Sequence, residues 1–289
     1  MSAWTRIAPG VHQLRVGAFD LSVVVVEGED GLLVVDSGAD PEEGRAILTE
    51  IRSRFGRRRI VGLVNTHAHF DHTFGNQAFG PGSSADAPIH GHAAIGAHFA
   101  AYEGPRLAAW RDDPSREPDR RWQDVELVAP THPVDRMTRL DLGGRVIELR
   151  PQSEGHTDTD LVLFLPADRI WILGDLVEES GPPMYGSGSY PLGWPGVLEG
   201  LVAEMRPGDR VIPGHGAVVA PEFVTRQAAA LRLVADRLAA SHAGGLSTVE
   251  ALAAHERWPF PADGLSGAAE RAYAALDGRP LDEGSIEDA

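Results

Sequence analysis

The segment Thr66-His67-Ala68-His69-Phe70-Asp71-His72 puts four strong metal ligands within six residues, directly after the apolar run Ile60 to Val64. Donors packed this closely cannot all reach one ion from a regular helix or strand, because their side chains fan around an axis or alternate between faces. On a loop leaving a strand they can divide between two ions, His67 and His69 toward one, Asp71 and His72 toward the other. A dinuclear site then needs donors from downstream. The chain offers them in Gly155-His156-Thr157, Gly174-Asp175 and Pro213-Gly214-His215-Gly216.

In that order the motifs resemble the metal-site motifs of the metallo-β-lactamase superfamily, across roughly residues 10 to 220. The resemblance implies an α/β fold, a four-layer αββα sandwich of two mixed β-sheets flanked by helices. It implies that His67, His69 and His156 hold one metal, that Asp71, His72 and His215 hold the other, and that Asp175 bridges both. The cofactor implied is zinc, two per chain, with iron or manganese as possible occupants. The implied reaction is hydrolysis of an ester, thioester or lactone by a metal-bridging hydroxide, with Asp71 and Asp175 as its catalytic carboxylates. β-Lactamases with an otherwise similar ligand set lack the bridging aspartate, so Asp175 points toward glyoxalase II-like thioesterases and lactonases. Mononuclear iron sulfur dioxygenases resemble the same pattern and form the alternative, using His67, His156 and Asp175. β-Lactamase and nuclease readings stand behind both.

The donor types support this chemistry in their own right. Five histidines and two aspartates are hard or borderline ligands that suit zinc, and manganese, iron or cobalt can also take them. Imidazoles that bind metal need a partner on their other nitrogen, and Asp36 and Thr157 are candidates by position. The stretch after Asp175 mixes glycines with aromatics, so Tyr185, Tyr190 and Trp194 either form a substrate-binding wall or pack the loop onto the domain. His90-Gly91-His92 lacks a following Asp-His. His12, His98, His132, His242 and His255 have no partner motif and read as surface or core residues.

Composition narrows the partners. The 289 residues carry a net charge of −16, no cysteine, and arginine as their only basic side chain apart from histidine. That excludes disulfides, thiolate ligands and lysine chemistry, and it opposes nucleic acid, whose binding rests on neutralising phosphates. No run is apolar enough to span a membrane, and Met1 to Pro9 lacks the pattern of a leader. The expected partner is therefore a small-molecule substrate, with no nucleic acid and no membrane, in the cytoplasm.

The expected organisation is one domain over residues 1–289, with an inserted surface segment at about 103–124 and a C-terminal helical extension at about 221–289. Strands are expected at 11–16, 21–27, 32–36, 60–65, 88–90, 134–142, 145–151, 161–165, 170–173 and 210–212. Helices are expected from Pro41 to Phe55 and over 74–79, 93–102, 197–205, 222–240, 249–255 and 267–276. An acidic tail at 282–289 is expected to fray.

Overall fold

The computed structural model describes residues 4–113, 115 and 120–279. Two groups of strands face each other. The first runs β7 (His132–Val134), β6 (Ile89–His92), β5 (Ile60–Val64), β4 (Leu32–Val35), β3 (Leu21–Glu27), with β2 (Val11–Val16) and β1 (Thr5–Ala8) continuing from β3. The second runs β12 (Arg210–His215), β11 (Ile170–Glu178), β10 (Leu161–Leu165), β9 (Val146–Pro151), β8 (Thr138–Asp141). Each group mixes directions: β4 to β7 are parallel neighbours and β11 is parallel to β12, while the remaining pairs are antiparallel. The groups join at one residue pair, His215 with Leu21.

Alternation along the strands sets the layers. Val24 and Val26 of β3 and Leu33 and Val35 of β4 face inward, onto Leu161, Leu163, Ile170, Ile172 and Ile212 of the second group. Val23, Val25, Leu32 and Val34 face outward, under Ile47 and Ile51 of α1 (Pro41–Phe55). On the far side, Val162, Phe164, Trp171 and Val211 pack under α5 (Trp194–Glu204), α6 (Pro221–Ala243) and α8 (Ser266–Leu276). The result is the expected four-layer sandwich. Its central strands β3, β4, β10 and β11 are buried on both faces, which is why they read as largely apolar runs. α1 starts as its sequence dictates: the Asp40 carboxylate accepts from Glu42 N and Glu43 N at 2.9 and 2.8 Å, ahead of Pro41.

Three expectations about element bounds need correction. The single strand over 134–142 is two, with β7 on the edge of one group and β8 on the edge of the other; the polar Asp135-Arg136 stretch carries the chain across. β11 does not stop at Leu173 but continues through Gly174 to Glu178, so Asp175 lies on a strand. The helix expected over 74–79 begins earlier, as α2 (Phe70–Thr73), with a separate 3-10 turn at Asn76–Ala78. Asp71 and His72 thus sit on a helical turn, and only Thr66 to His69 is loop.

The segment at 103–124 is not wholly superficial. α3 (Ile95–His98) leads through a π-helical turn into α4 (Gly104–Asp112), whose Leu107 and Trp110 are buried with Trp122, Val125 and Phe74. Its arginines and aspartates obscured two tryptophans that stack at 4.3 Å. The C-terminal helices, α7 (Thr248–Ala253) included, pack into the core of the second group. The tail at 282–289 lies outside the described residues, as do 114 and 116–119 of the inserted segment.

Candidate metal centre

β5 ends by delivering its chain into the site. Thr66 N and Thr66 Oγ1 both donate to Asp36 at 2.8 Å, and Asp36 sits at the end of β4 with φ +62. That left-handed conformation is unusual for a non-glycine residue. Here it lets one carboxylate also accept from His72 Nδ1 at 2.9 Å. Thr66 Oγ1 stands 3.2 Å from His67 Nδ1. Asp36 therefore organises the start of the loop and leaves His72 Nε2 pointing inward.

The seven residues expected as ligands converge from both strand groups. His67, His69, His156 and Asp175 form one buried set, and Asp71, His72 and His215 another. In the first, His69 Nδ1 lies 3.0 Å from His156 Nε2, and Asp175 Oδ2 lies 3.7 and 3.6 Å from His67 Nε2 and His156 Nε2. In the second, His72 Nε2 and His215 Nε2 are 3.2 Å apart, and Asp71 Oδ2 is 3.5 and 3.2 Å from them. Asp175 reaches this set too, with Oδ1 at 3.2 Å from His72 Nε2 and Oδ2 at 3.3 Å from His215 Nε2.

These spacings fit ions. Donors on a tetrahedral zinc at ~2.0–2.1 Å stand roughly 3.3–3.4 Å from one another. In the first set the imidazole nitrogens of His67, His69 and His156 converge with Asp175 in a buried core, an arrangement that a cation would complete. His67 Nε2 and Asp175 Oδ1 are buried with no hydrogen-bond partner, so ligation would satisfy them. Gly214 makes the approach possible, since a Cβ there would fall 1.8 Å from Asp175 Oδ1.

Outer partners set the free nitrogens. His69 Nε2 donates to Ser187 O at 3.0 Å and His215 Nδ1 to Phe19 O at 2.7 Å, each leaving its other nitrogen for the site. Ser187 is itself held by Arg106 Nη2 at 2.6 Å, and Arg106 pairs with the fully buried Glu103 at 3.2 Å. Thr157 does not orient an imidazole, contrary to expectation. Its hydroxyl closes a turn on Asp160 and Thr159, at 2.8 and 2.9 Å, that shapes the loop carrying His156.

The two sets differ electrostatically. Burial, reinforced by neighbouring imidazoles, holds His67 and His69 well below the usual histidine range, and burial brings His156 down to about 4. For His72 burial acts downward too, but Asp175, Asp71 and Asp36 together outweigh it and raise the group well above its ordinary value. His215 is likewise raised, by Asp175 and Asp71 against burial. The same pairings outweigh burial at Asp71 and Asp175 and lower both.

The expected aromatic wall is largely absent. Trp194 is fully buried, its Nε1 donates to Leu176 O at 3.2 Å, and its ring packs 5.1 Å from that of His156. Tyr185 is also core, 5.4 Å from Trp194, while Tyr190 stays exposed. The apolar side chain beside the site is instead the exposed Phe19, edge-on to Phe70 at 5.6 Å. Sequence reading took His98 only as a surface or core residue and gave Glu178 no role in the site. His98 is core, bonded to Asp158 at 2.6 Å, and lies tilted behind the ring of His69 at 5.7 Å. Glu178 lies with Asp175 and His215, all three donor atoms within 4.8 Å of one another, and burial and Asp175 push its carboxyl well above the ordinary range. Its signal was an acid at the end of an otherwise apolar strand. His90 and His92 lie on β6 and join neither donor set.

Comparison with known proteins gives the family and the fold. A family model described as the metallo-beta-lactamase superfamily matches residues 16–242. Metallo-beta-lactamases type 2 of Bacillus sp. (strain 170) and Bacillus cereus are 24% and 23% identical over 198 residues, covering 68% of this chain and 66% of each relative. The sec-alkylsulfatase Pisa1 from Pseudomonas sp. shares the fold with TM-score 0.77 and 17% identity, over 100% of this chain and 52% of that one. A metallo-beta-lactamase from Pontibacter korlensis aligns with TM-score 0.64 and 18% identity, over 80% of this chain and 99% of that one. The chain thus spans just under two thirds of its curated relatives and about half of the alkylsulfatase. It belongs to the metallo-β-lactamase superfamily.

Proposed function

We propose that this metallo-β-lactamase superfamily member is a dinuclear zinc hydrolase of an ester, thioester or lactone. The observation that carries the reading is the Asp175 carboxylate, which stands within 3.2–3.7 Å of nitrogens from both donor sets. His67, His69 and His156 would hold one ion and Asp71, His72 and His215 the other, with Asp175 shared. Two such ions, when bound, bring the pKa of water toward ~7 and polarise a carbonyl for attack.

The chain supplies the rest. Asp36, Ser187 O and Phe19 O hold His72, His69 and His215 in the tautomers that leave Nε2, Nδ1 and Nε2 free. Asp71 and Asp175 provide two carboxylates at the mouth, where Asp71 can orient an attacking water and accept its proton. The β2–β3 turn and Phe70 provide an apolar lip against which a substrate chain can rest. A net charge of −16 supports a small molecule over nucleic acid. Among the described residues no helix is long and apolar enough to cross a membrane. The names of the curated relatives suggest β-lactam hydrolysis; the shared aspartate is what supports ester, thioester or lactone cleavage over it in our reading.

The test is metal content of protein purified without added metal, followed by a panel of lactone, thioester, phosphodiester and cephalosporin substrates. Two zinc per chain with carbonyl-ester turnover is the expected result. One iron per chain with oxygen consumption would replace this reading by a dioxygenase.

A further inference from the structure

His98, Glu103 and Arg106 are not among the seven donors, yet they form a polar cluster in and beside the inserted segment. His98 and Glu103 are 1% and 0% exposed. They flank the stretch where α3 passes through the π-helical turn Phe99–Glu103 into α4. Residues five apart point to different faces of an α-helix, whereas a turn bonded from i to i+5 brings them back to one side. That places Glu103 Oε1 3.7 Å from His98 Nε2, and both carboxylate oxygens accept from Arg106 Nη1, at 3.2 and 3.3 Å. A carboxylate buried this deeply needs such partners.

The cluster reaches both loops of the first donor set. On one side Arg106 Nη2 donates to Ser187 Oγ at 2.6 Å, and the carbonyl of Ser187 accepts from His69 Nε2 at 3.0 Å. On the other, His98 Nδ1 donates to Asp158 Oδ1 at 2.6 Å, in the loop that carries His156. The fit is close. Gly188 has φ +68, and a Cβ there would lie 2.8 Å from His98 Cε1 and 3.0 Å from Asp158 Oδ1. The loop after β11 can therefore lie flat against His98 only with glycine at that position. The second donor set is served from elsewhere, by Asp36 after β4 and by Phe19 O in the β2–β3 turn.

We propose that Arg106, braced by Glu103, is a positioning residue for His69, so that the inserted segment sets the affinity of the first ion. The Ser187 carbonyl fixes which nitrogen of His69 carries the proton, and Arg106 keeps that carbonyl aimed by gripping the hydroxyl of the same residue. The inference rests on the reading of the seven donors as a dinuclear zinc site. Its readouts are zinc affinity and a proton signal, so it can fail while that reading stands.

The test compares Arg106→Met and Ser187→Ala with the wild type. The first removes the guanidinium; the second removes only the hydroxyl that Arg106 grips and leaves the Ser187 carbonyl in place. All three proteins are loaded with zinc, which a graded chelator then withdraws while imidazole NMR signals report which donor set empties. Arg106→Met should weaken the first ion about tenfold, the low end for an outer partner because it acts through Ser187, and Ser187→Ala about threefold. The second ion should change by less than about twofold in either variant. In the zinc-loaded variants the Nε2–H proton of His69 should exchange with water faster, while the Nδ1–H protons of His72 and His215 keep their wild-type rates. Equal weakening of both ions overturns the proposal. So does an unaltered His69 signal in Ser187→Ala, even where Arg106→Met does not fold. A wild type that binds fewer than two zinc ions overturns the dinuclear reading and the proposal together.

Discussion

The two donor sets lie side by side and share a carboxylate, yet they are prepared for a cation in different ways. His67, His69 and His156 are nearly or fully buried among one another, and their environment keeps them neutral. Their lone pairs are free before an ion arrives. His72 and His215 lie among carboxylates that favour their protonated forms. There a proton stands where the ion will go. One set waits for a cation, and the other exchanges one cation for another.

The sharpest way to break that comparison is to remove what the sets share. Asp175→Ala should release at least one ion and lower turnover by more than about a hundredfold, beyond the range typical of an outer partner. Gly214→Ala should act similarly with every ligand intact, because its Cβ would lie 1.8 Å from Asp175 Oδ1. Full metal content and turnover in both variants, read by elemental analysis and kinetics, would mean that the sets do not depend on the shared aspartate.

A smaller effect is expected from Asp36→Ala, which leaves His72 Nδ1 and Thr66 without their acceptor. Affinity for the second ion should fall roughly 10–100-fold while the first is held. Equal weakening of both ions in a stepwise zinc titration would show that Asp36 supports the whole loop instead of one set.

The pH dependence sharpens the contrast further. A raised pKa means that His72 and His215 retain protons through neutral pH, so each must be displaced on loading. Affinity for the second ion should then rise with pH, by about tenfold per unit for each proton released. The first ion should show no such slope until the solution is acidified toward the His156 value of about 4. Parallel slopes for both ions, measured from pH 6 to 8, would erase the distinction. The least consequence is expected from Tyr190→Ala, whose ring is exposed: KM should change by no more than about two- to threefold.

What could be read from the chain alone follows from how local each signal is. His67 through His72 stand on one short segment, so their spacing announced the site, and the apolar runs around them announced buried strands. The four-layer arrangement follows from strands that are apolar on both faces. Less local facts were lost. Glu178 became part of the site only through a bulge, which depends on pairing with β12. Trp194 reads like a loop aromatic until α5 is seen to turn it into the core behind His156. Leu107, Trp110 and Trp122 were hidden among charges, because a face of a helix is apolar only relative to what it packs on. Thr157 is adjacent to a ligand in sequence, but its hydroxyl serves the turn and not the ring.

The seam between the strand groups has a mechanical consequence. Among the described residues Leu21 and His215 form the one ladder pair between them, while His67, His69, Asp71 and His72 come from one side and His156, Asp175 and His215 from the other. Bound ions would therefore act as rivets across a joint that is otherwise held by a few backbone hydrogen bonds and the apolar inner layer. Metal-binding free energy becomes cohesion between halves. A chelator is then expected to lower the unfolding temperature while the apolar layer between the groups still holds them, so that resistance to heat becomes a gauge of how much metal the surroundings provide.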